Sequence, residues 1–263
     1  MNSGAYYGAY WKDALRRSFL GKRLSVWRAA RRSRQWTSLD EQAASFYRSI
    51  LNEGDLCFDI GANIGARTKV FRRLGASVVA VEPQNSCLTI LKAANFWDRK
   101  VQVVGAACGD QPGRAEIMLC ESPLMSSLSS EWTSYMRANE RFSGIEWPRM
   151  QPCEVTTLDR LIGSYGVPAF IKVDVEGYEL QVLRGLSRSV LSLSFEFFAE
   201  RLQETKLCIE RLTDLGFSRF NLSLEESFSF LQNQWVDSHA LLPVISALAV
   251  FNPSAIGDVY ARQ

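Results

Sequence analysis

Apolar residues in this chain come in short runs that alternate with stretches of helical period, and that alternation predicts the architecture. Leu56-Cys57-Phe58 leads to Asp59, and Gly61-Ala62-Asn63-Ile64-Gly65 then makes a tight turn. Ile64, Val70, Phe71 and Leu74 fall on one helical face before a second run, Ser77 to Val81, which ends at Glu82. The pattern continues with a helix over Ser86 to Asn95, a strand over Val101 to Val104, a turn at Gln111-Pro112-Gly113 and alternation from Ala115 to Leu119. A short helix starts at Thr157. A strand over Ala169 to Val173, a helix over Tyr178 to Leu186 and a strand over Leu191 to Phe195 follow. Beyond them we read a helix over Arg201 to Leu215, a strand near Phe217 to Leu222 and a last strand near Val244 to Phe251, with a turn at Asn252-Pro253-Ser254. Strands alternating with helices imply an α/β fold with a parallel, doubly wound sheet, whose ligands bind beyond the carboxyl ends of the strands.

Two stretches depart from this pattern. Residues 121–150 carry Ser, Arg and aromatic side chains (Trp132, Tyr135, Phe142, Trp147) with no strong period, as either a lid or substrate loop or a surface insertion packing its own aromatics would. Before the first strand, a helix is expected over Leu39 to Leu51. Ahead of that, Trp11, Leu15 and Phe19, and then Leu20, Leu24 and Trp27, fall at helical spacing between basic residues, with a break near Gly21. Residues 1–36 hold nine basic residues and one acid, leaving 21 basic and 27 acidic residues in the rest of the chain. The division is therefore a basic helical arm over 1–50 and a ligand-binding domain over 51–263, with an insertion at 121–150. The arm has two readings: contact with an anionic partner such as a membrane surface, or docking of its aromatic stripe on the core or on a second copy in a homodimer.

The six cysteines are scattered without a C-x-x-C pair and His239 is the single histidine, which argues against a zinc site and a disulfide framework. No apolar run approaches a membrane span and the N-terminus lacks a signal-peptide pattern, so the expectation is a soluble cytoplasmic protein.

The turn after Phe58 carries the candidate chemistry. Glycines at such a turn let a ligand approach the helix N-terminus, and an acid about 20 residues on accepts from a ribose diol. Glu82 stands in that place, so the site reads as one for a nucleoside cofactor. A dinucleotide fingerprint would need glycines where Asn63 and Ala66 stand. The pattern present, Asp59-x-Gly61-x-Asn63-x-Gly65, is similar to the first motif of S-adenosylmethionine-dependent methyltransferases, where the acid faces a cationic amino-acid moiety. Residues 105–110, Ala107 among them, follow the third strand and should border the adenine.

The strand after residue 169 ends at Asp174-Val175-Glu176-Gly177 and the next ends at Glu196, on the same sheet edge as Asp59 and Glu82. Methyl transfer to an alcohol needs a base, or a divalent cation that acidifies the hydroxyl. Asp174 and Glu196 are the expected pair, as base or as ligands of Mg2+, with Glu176 either beside them or stabilised at a helix N-terminus. Lys172, inside a buried strand, needs an acidic partner, and Glu196 is one candidate.

Taken together, Asp59 to Gly65, Val81-Glu82-Pro83, Thr157-Leu158-Asp159, Ile171-Lys172-Val173-Asp174-Val175-Glu176-Gly177-Tyr178-Glu179 and Val182-Leu183-Arg184-Gly185 resemble the FkbM family of methyltransferases over about residues 50–200. The resemblance implies a class I (Rossmann-like) methyltransferase fold with a seven-stranded, mostly parallel sheet and helices on both faces. It also implies O-methylation of a sugar, glycan or secondary-metabolite hydroxyl. By it Asp59, Gly61, Asn63, Gly65 and Glu82 map to cofactor binding, and Asp174 and Glu176 to the transfer site. Two other readings stay open: a nucleic-acid methyltransferase gripping phosphates with the basic arm, which the acidic core and missing amine motif disfavour, and a non-catalytic nucleoside-binding module.

Overall fold

The computed structural model describes the chain from residue 19 to residue 263, and its side chains from Leu24. The stripe through Trp11 and Leu15 lies outside the described residues. Seven strands form the main sheet: β1 (Leu56–Ile60), β2 (Ser77–Val81), β3 (Val101–Val104), β7 (Phe170–Val173), β8 (Ser192–Phe198), β9 (Arg219–Leu224) and β10 (Ile256–Arg262). Their order is β3-β2-β1-β7-β8-β10-β9, and only β10 runs against the others. This is the seven-stranded, mostly parallel sheet that the sequence resemblance implied. A second sheet joins β4 (Ala107–Cys108), β5 (Gly113–Leu119) and β6 (Arg149–Thr156) in the order β4-β6-β5.

Strand alternation divides the core. Phe58, Ile60, Ile171, Val173, Leu193 and Phe195 face α6 (Leu158–Tyr165), α7 (Glu179–Arg184), α8 (Leu202–Asp214) and α9 (Ser238–Phe251). Cys57, Val78, Ala80, Phe170 and Tyr260 face α2 (Ser38–Tyr47), α3 (Ala66–Arg73) and α4 (Asn85–Ala94). Each layer removes a continuous apolar face of the sheet from water.

Three sequence readings are corrected. The apolar run Val244 to Phe251 belongs to helix α9, and the last strand is β10. Leu241, Ile245 and Leu248 recur at helical spacing and pack on the sheet, so a run that is strand-like by composition is helical by period. The Asn252 turn therefore precedes the last strand rather than following it. The arm does not extend to residue 50: Ala43, Ala44, Phe46 and Tyr47 of α2 are buried against Phe71, Phe170 and Tyr260, within the layer that covers the sheet. A capping box holds the start of α2, with Thr37 and Asp40 exchanging side-chain and backbone hydrogen bonds, and Asp40 also pairs with Lys69 of α3 at 2.7 Å. Ahead of it, α1 (Phe19–Ser33) runs through Gly21 without a break. Residues 121–150, lacking a long period, hold two 3-10 turns and a helix, α5 (Ser130–Ala138), and end at β6.

Gly61 joins the two halves of the sheet's carboxyl edge. It has φ +83°, and a Cβ there would lie 1.7 Å from the Asp174 carbonyl oxygen. Gly61→Ala should therefore unfold the protein at markedly lower temperature, a loss of more than about 3 kcal/mol, because backbone rather than a flexible side chain has to move. Thermal denaturation followed by circular dichroism checks this.

Candidate active site

The carboxyl edge gathers its polar groups by register. Asp59 lies opposite Lys172, Lys172 opposite Ser194, and Ser194 opposite Tyr260, so one polar row crosses four strands on the α2–α3 face of the sheet. One step further, Glu196 lies opposite Asp258. β8 continues to Phe198, which places Glu196 within the strand rather than at its end.

Lys172 is 3% exposed along its side chain and donates to Asp174 Oδ2 at 2.9 Å and Asp258 Oδ1 at 3.3 Å. Burial alone would depress its pKa. Asp174 and Asp258 more than offset that and hold the ammonium well above its usual value. Its partners are thus Asp174 and Asp258, not Glu196 as expected from the sequence. Glu196 Oε2 is buried and has no hydrogen-bond partner among the described residues.

One ligand atom each from Asp174, Glu176 and Glu196 lie within 4.8 Å of one another. Burial, and then the charge of Asp174, push the Glu176 and Glu196 carboxyls well above the usual carboxylate range. Glu176 has φ +56°, and its carbonyl accepts from Ser127 Oγ at 2.6 Å. Glu176 lies in the loop before α7, and the acid in the first turn of that helix is Glu179, whose Oε1 accepts from the loop amides of Val175 and Gly177 at 3.2 Å. Gly177 admits the indole of Trp132, since a Cβ there would lie 2.2 Å from Trp132 Cδ1.

On the cofactor side, Glu82 is buried and accepts from the Asn63 amide at 2.8 Å and the Gln84 amide at 2.7 Å. Burial lifts its pKa to about 7 against those hydrogen bonds. Asn63, at φ +50°, turns its own side chain onto the Ile64 amide. Gly65 stands at the N-cap of α3 against Leu91. Asp59 is buried beneath the turn and accepts from Thr68 Oγ1 at 2.5 Å, which ties β1 to α3. Burial raises its pKa, and Thr68 and Lys172 oppose the rise. Ala107 is buried in β4 of the second sheet, paired with Val155, rather than on the Asp59–Glu82 turn.

Over the turn sits the 121–150 segment. The Pro123 carbonyl accepts from Gln84 Nε2 at 2.9 Å and Asn63 Nδ2 at 3.3 Å, and Gln151 bonds the Pro83 carbonyl and the Asn85 amide. Trp147 Nε1 donates to the Met125 carbonyl at 2.6 Å. The same segment therefore touches both the nucleoside turn and, through Ser127 and Trp132, the carboxylate cluster. Sequence reasoning missed Thr68, Pro123 and Asp258. Only Asp258 left a signal, the alternation Gly257-Asp258-Val259-Tyr260, which the misread last strand concealed.

With this geometry in place, comparison with known proteins decides the family. The methyltransferase FkbM domain matches residues 59–227, well over half of the chain. The chain belongs to the FkbM methyltransferase family. By that membership it is an S-adenosylmethionine-dependent methyltransferase. No curated protein matches the chain. Among solved structures, similar ones include a precorrin-6Y C5,15-methyltransferase from Geobacter metallireducens, with 12% identity, TM-score 0.41 and 85% of this chain and 88% of that chain covered. A putative RNA methyltransferase from Pyrococcus horikoshii shares 10% identity at TM-score 0.42, over 86% and 84% of the two chains. A putative methyltransferase from Streptococcus mutans, in complex with S-adenosylhomocysteine, shares 11% at TM-score 0.40, over 87% and 100%.

Two predictions follow from the electrostatics of this FkbM domain. Glu82 and Glu179 both have folded pKa values raised to about 7 from 4.5, so the folded state holds protons that the unfolded chain has released between those values. Their stabilisation is complete below about pH 4.5 and lost as pH rises through about 7. Urea unfolding of the ligand-free protein should show greater stability near pH 5 than near pH 8, and Glu82→Gln should remove about 3 kcal/mol of that difference. Lys172→Met should cost about 3 kcal/mol at neutral pH in the same assay, because it leaves Asp174 and Asp258 facing each other without their cation.

Proposed function

We propose that this methyltransferase acts on a hydroxyl of a sugar, glycan or secondary metabolite, and that Asp174, Glu176 and Glu196 hold a divalent cation, Mg2+, that activates the acceptor. The observation that carries the reading is the convergence of three carboxylates with an unpartnered buried oxygen, Glu196 Oε2, at the strand edge where Gly61 meets Asp174. Three carboxylates this close cannot all remain ionised in a partly dry site without a proton or a cation between them. Oxygen-only donors with no histidine or cysteine suit a hard cation.

S-adenosylmethionine supplies an electrophilic methyl group on a sulfonium, and the acceptor oxygen needs a free electron pair to receive it. The residues provide for that need. Glu82, once ionised, can accept from ribose hydroxyls, and the Gly61–Gly65 backbone lets the cofactor lie against the end of β1. Asp174, oriented by its hydrogen bond from Lys172, takes the acceptor proton or would share the cation with Glu176 and Glu196. The Pro123 and Trp132 contacts shield both subsites from water.

Calorimetry with S-adenosylhomocysteine, then Mg2+ titration, separates the two parts of the proposal. Micromolar binding, about −8 kcal/mol, should weaken at least tenfold in Glu82→Ala. Mg2+ should bind the wild-type chain and not Glu196→Gln, and methylation of a panel of sugar and polyketide alcohols should fall with chelator. Turnover indifferent to chelator and to Glu196→Gln would remove the cation and leave Asp174 as a metal-free base.

A further inference from the structure

We infer that the face formed by α1 and the end of α4 is a docking surface for an anionic lipid bilayer. The observation is how α1 attaches. It docks through its small residues, Ala29 and Ala30, on Ile64, Cys87, Ile90 and Ala94, and turns Leu24 and Trp27 outward. Leu24 is 57% exposed and Trp27 51%; in the turn just past α4, Phe96 is 65% and Trp97 81% exposed. An aromatic stripe that served only to pack the helix on its own core would face the other way, which is the opposite of what α1 does.

Charge completes the surface. A groove of about 380 Å³ runs between the two helices, floored by Ala30 and Ala93 and rimmed by Leu24, Trp27, Arg28, Arg31 and Arg34. Lys92, Arg99 and Lys100 are exposed around the Phe96–Trp97 pair, whose rings meet edge-on at 4.7 Å. The one acid in these two segments, Asp98, is already bonded to Arg72 Nε at 2.8 Å, so it does not offset the basic rim. Exposed indoles and leucine beside guanidinium groups match the headgroup–acyl boundary of a bilayer, where the rings leave water while the cations meet lipid phosphates. A phosphodiester chain would satisfy the arginines and leave Leu24 and Phe96 in water, so lipid fits the whole surface better than nucleic acid does. The acidic remainder of the chain gives the molecule one preferred side toward an anionic plane. No helix among the described residues is long and apolar enough to cross a membrane.

Cosedimentation of the full chain with phosphatidylcholine vesicles, alone or mixed with phosphatidylglycerol, tests this. Binding should require the anionic lipid and weaken with salt. The variant Arg28→Glu/Arg31→Glu/Arg34→Glu should lose at least about tenfold in partitioning. Trp27→Ala/Trp97→Ala should lose binding with its circular dichroism and S-adenosylhomocysteine affinity unchanged, and wild-type tryptophan emission should shift to the blue on vesicles. Equal binding to neutral vesicles, or none to anionic ones, would overturn the inference. So would tighter binding to single-stranded DNA than to vesicles, or light scattering showing a dimer that the Trp27/Trp97 variant dissociates, since the surface then belongs to another partner.

Discussion

One buried ammonium sets the terms for the rest of the active edge. Lys172 stands in a strand flanked by strands on both sides, where an unpaired cation would be prohibitive, and its two carboxylate partners come from very different distances along the chain. Asp174 is two residues away; Asp258 is supplied by the antiparallel β10, beyond the end of the family match at residue 227. The charge that β7 carries is therefore balanced in part by a strand that lies outside the family match. With Lys172 committed to Asp174 and Asp258, Glu196 is left with a buried oxygen that no described residue satisfies. A polar atom in that condition is costly to keep unless a proton, a cation or a substrate answers it.

The edge is assembled by close approach rather than by side-chain reach. Gly61 brings the β1 turn onto the Asp174 carbonyl, and Gly177 brings Trp132 onto the loop that holds Glu176. Between these two contacts the 121–150 segment spans the nucleoside turn and the carboxylate cluster, bonding Gln84 and Asn63 at one end and the Glu176 carbonyl at the other. A displacement of this segment would therefore be felt in both halves of the site at once.

Periodicity and motif spacing located most of the frame. Strands β1, β2, β3, β7 and β8 and helices α3, α4, α6 and α7 stand where the alternation put them, because each is a local pattern read against one neighbour on either side. The C-terminal end was misread for an equally local reason. Val244 to Phe251 is rich in strand-forming residues, and only its packing, with Leu241, Ile245 and Leu248 on the sheet, reveals the helical period. Missing that helix hid β10 and with it Asp258. Strand β6 was missed because Arg149-Met150-Gln151-Pro152 offers little apolar signal, its pairing with β5 being made mostly by backbone.

By itself the sequence determined the α/β class, the glycine turn between Asp59 and Glu82, the carboxylates Asp174, Glu176 and Glu196, and a basic N-terminal segment, since each is written in residue type at short spacing. The tertiary structure alone decided that Lys172 pairs with Asp174 and Asp258, that Asp59 braces Thr68, and that α1 shows its tryptophan to solvent. Those outcomes depend on strand register and helix rotation, which bring together groups tens of residues apart and which no local pattern encodes.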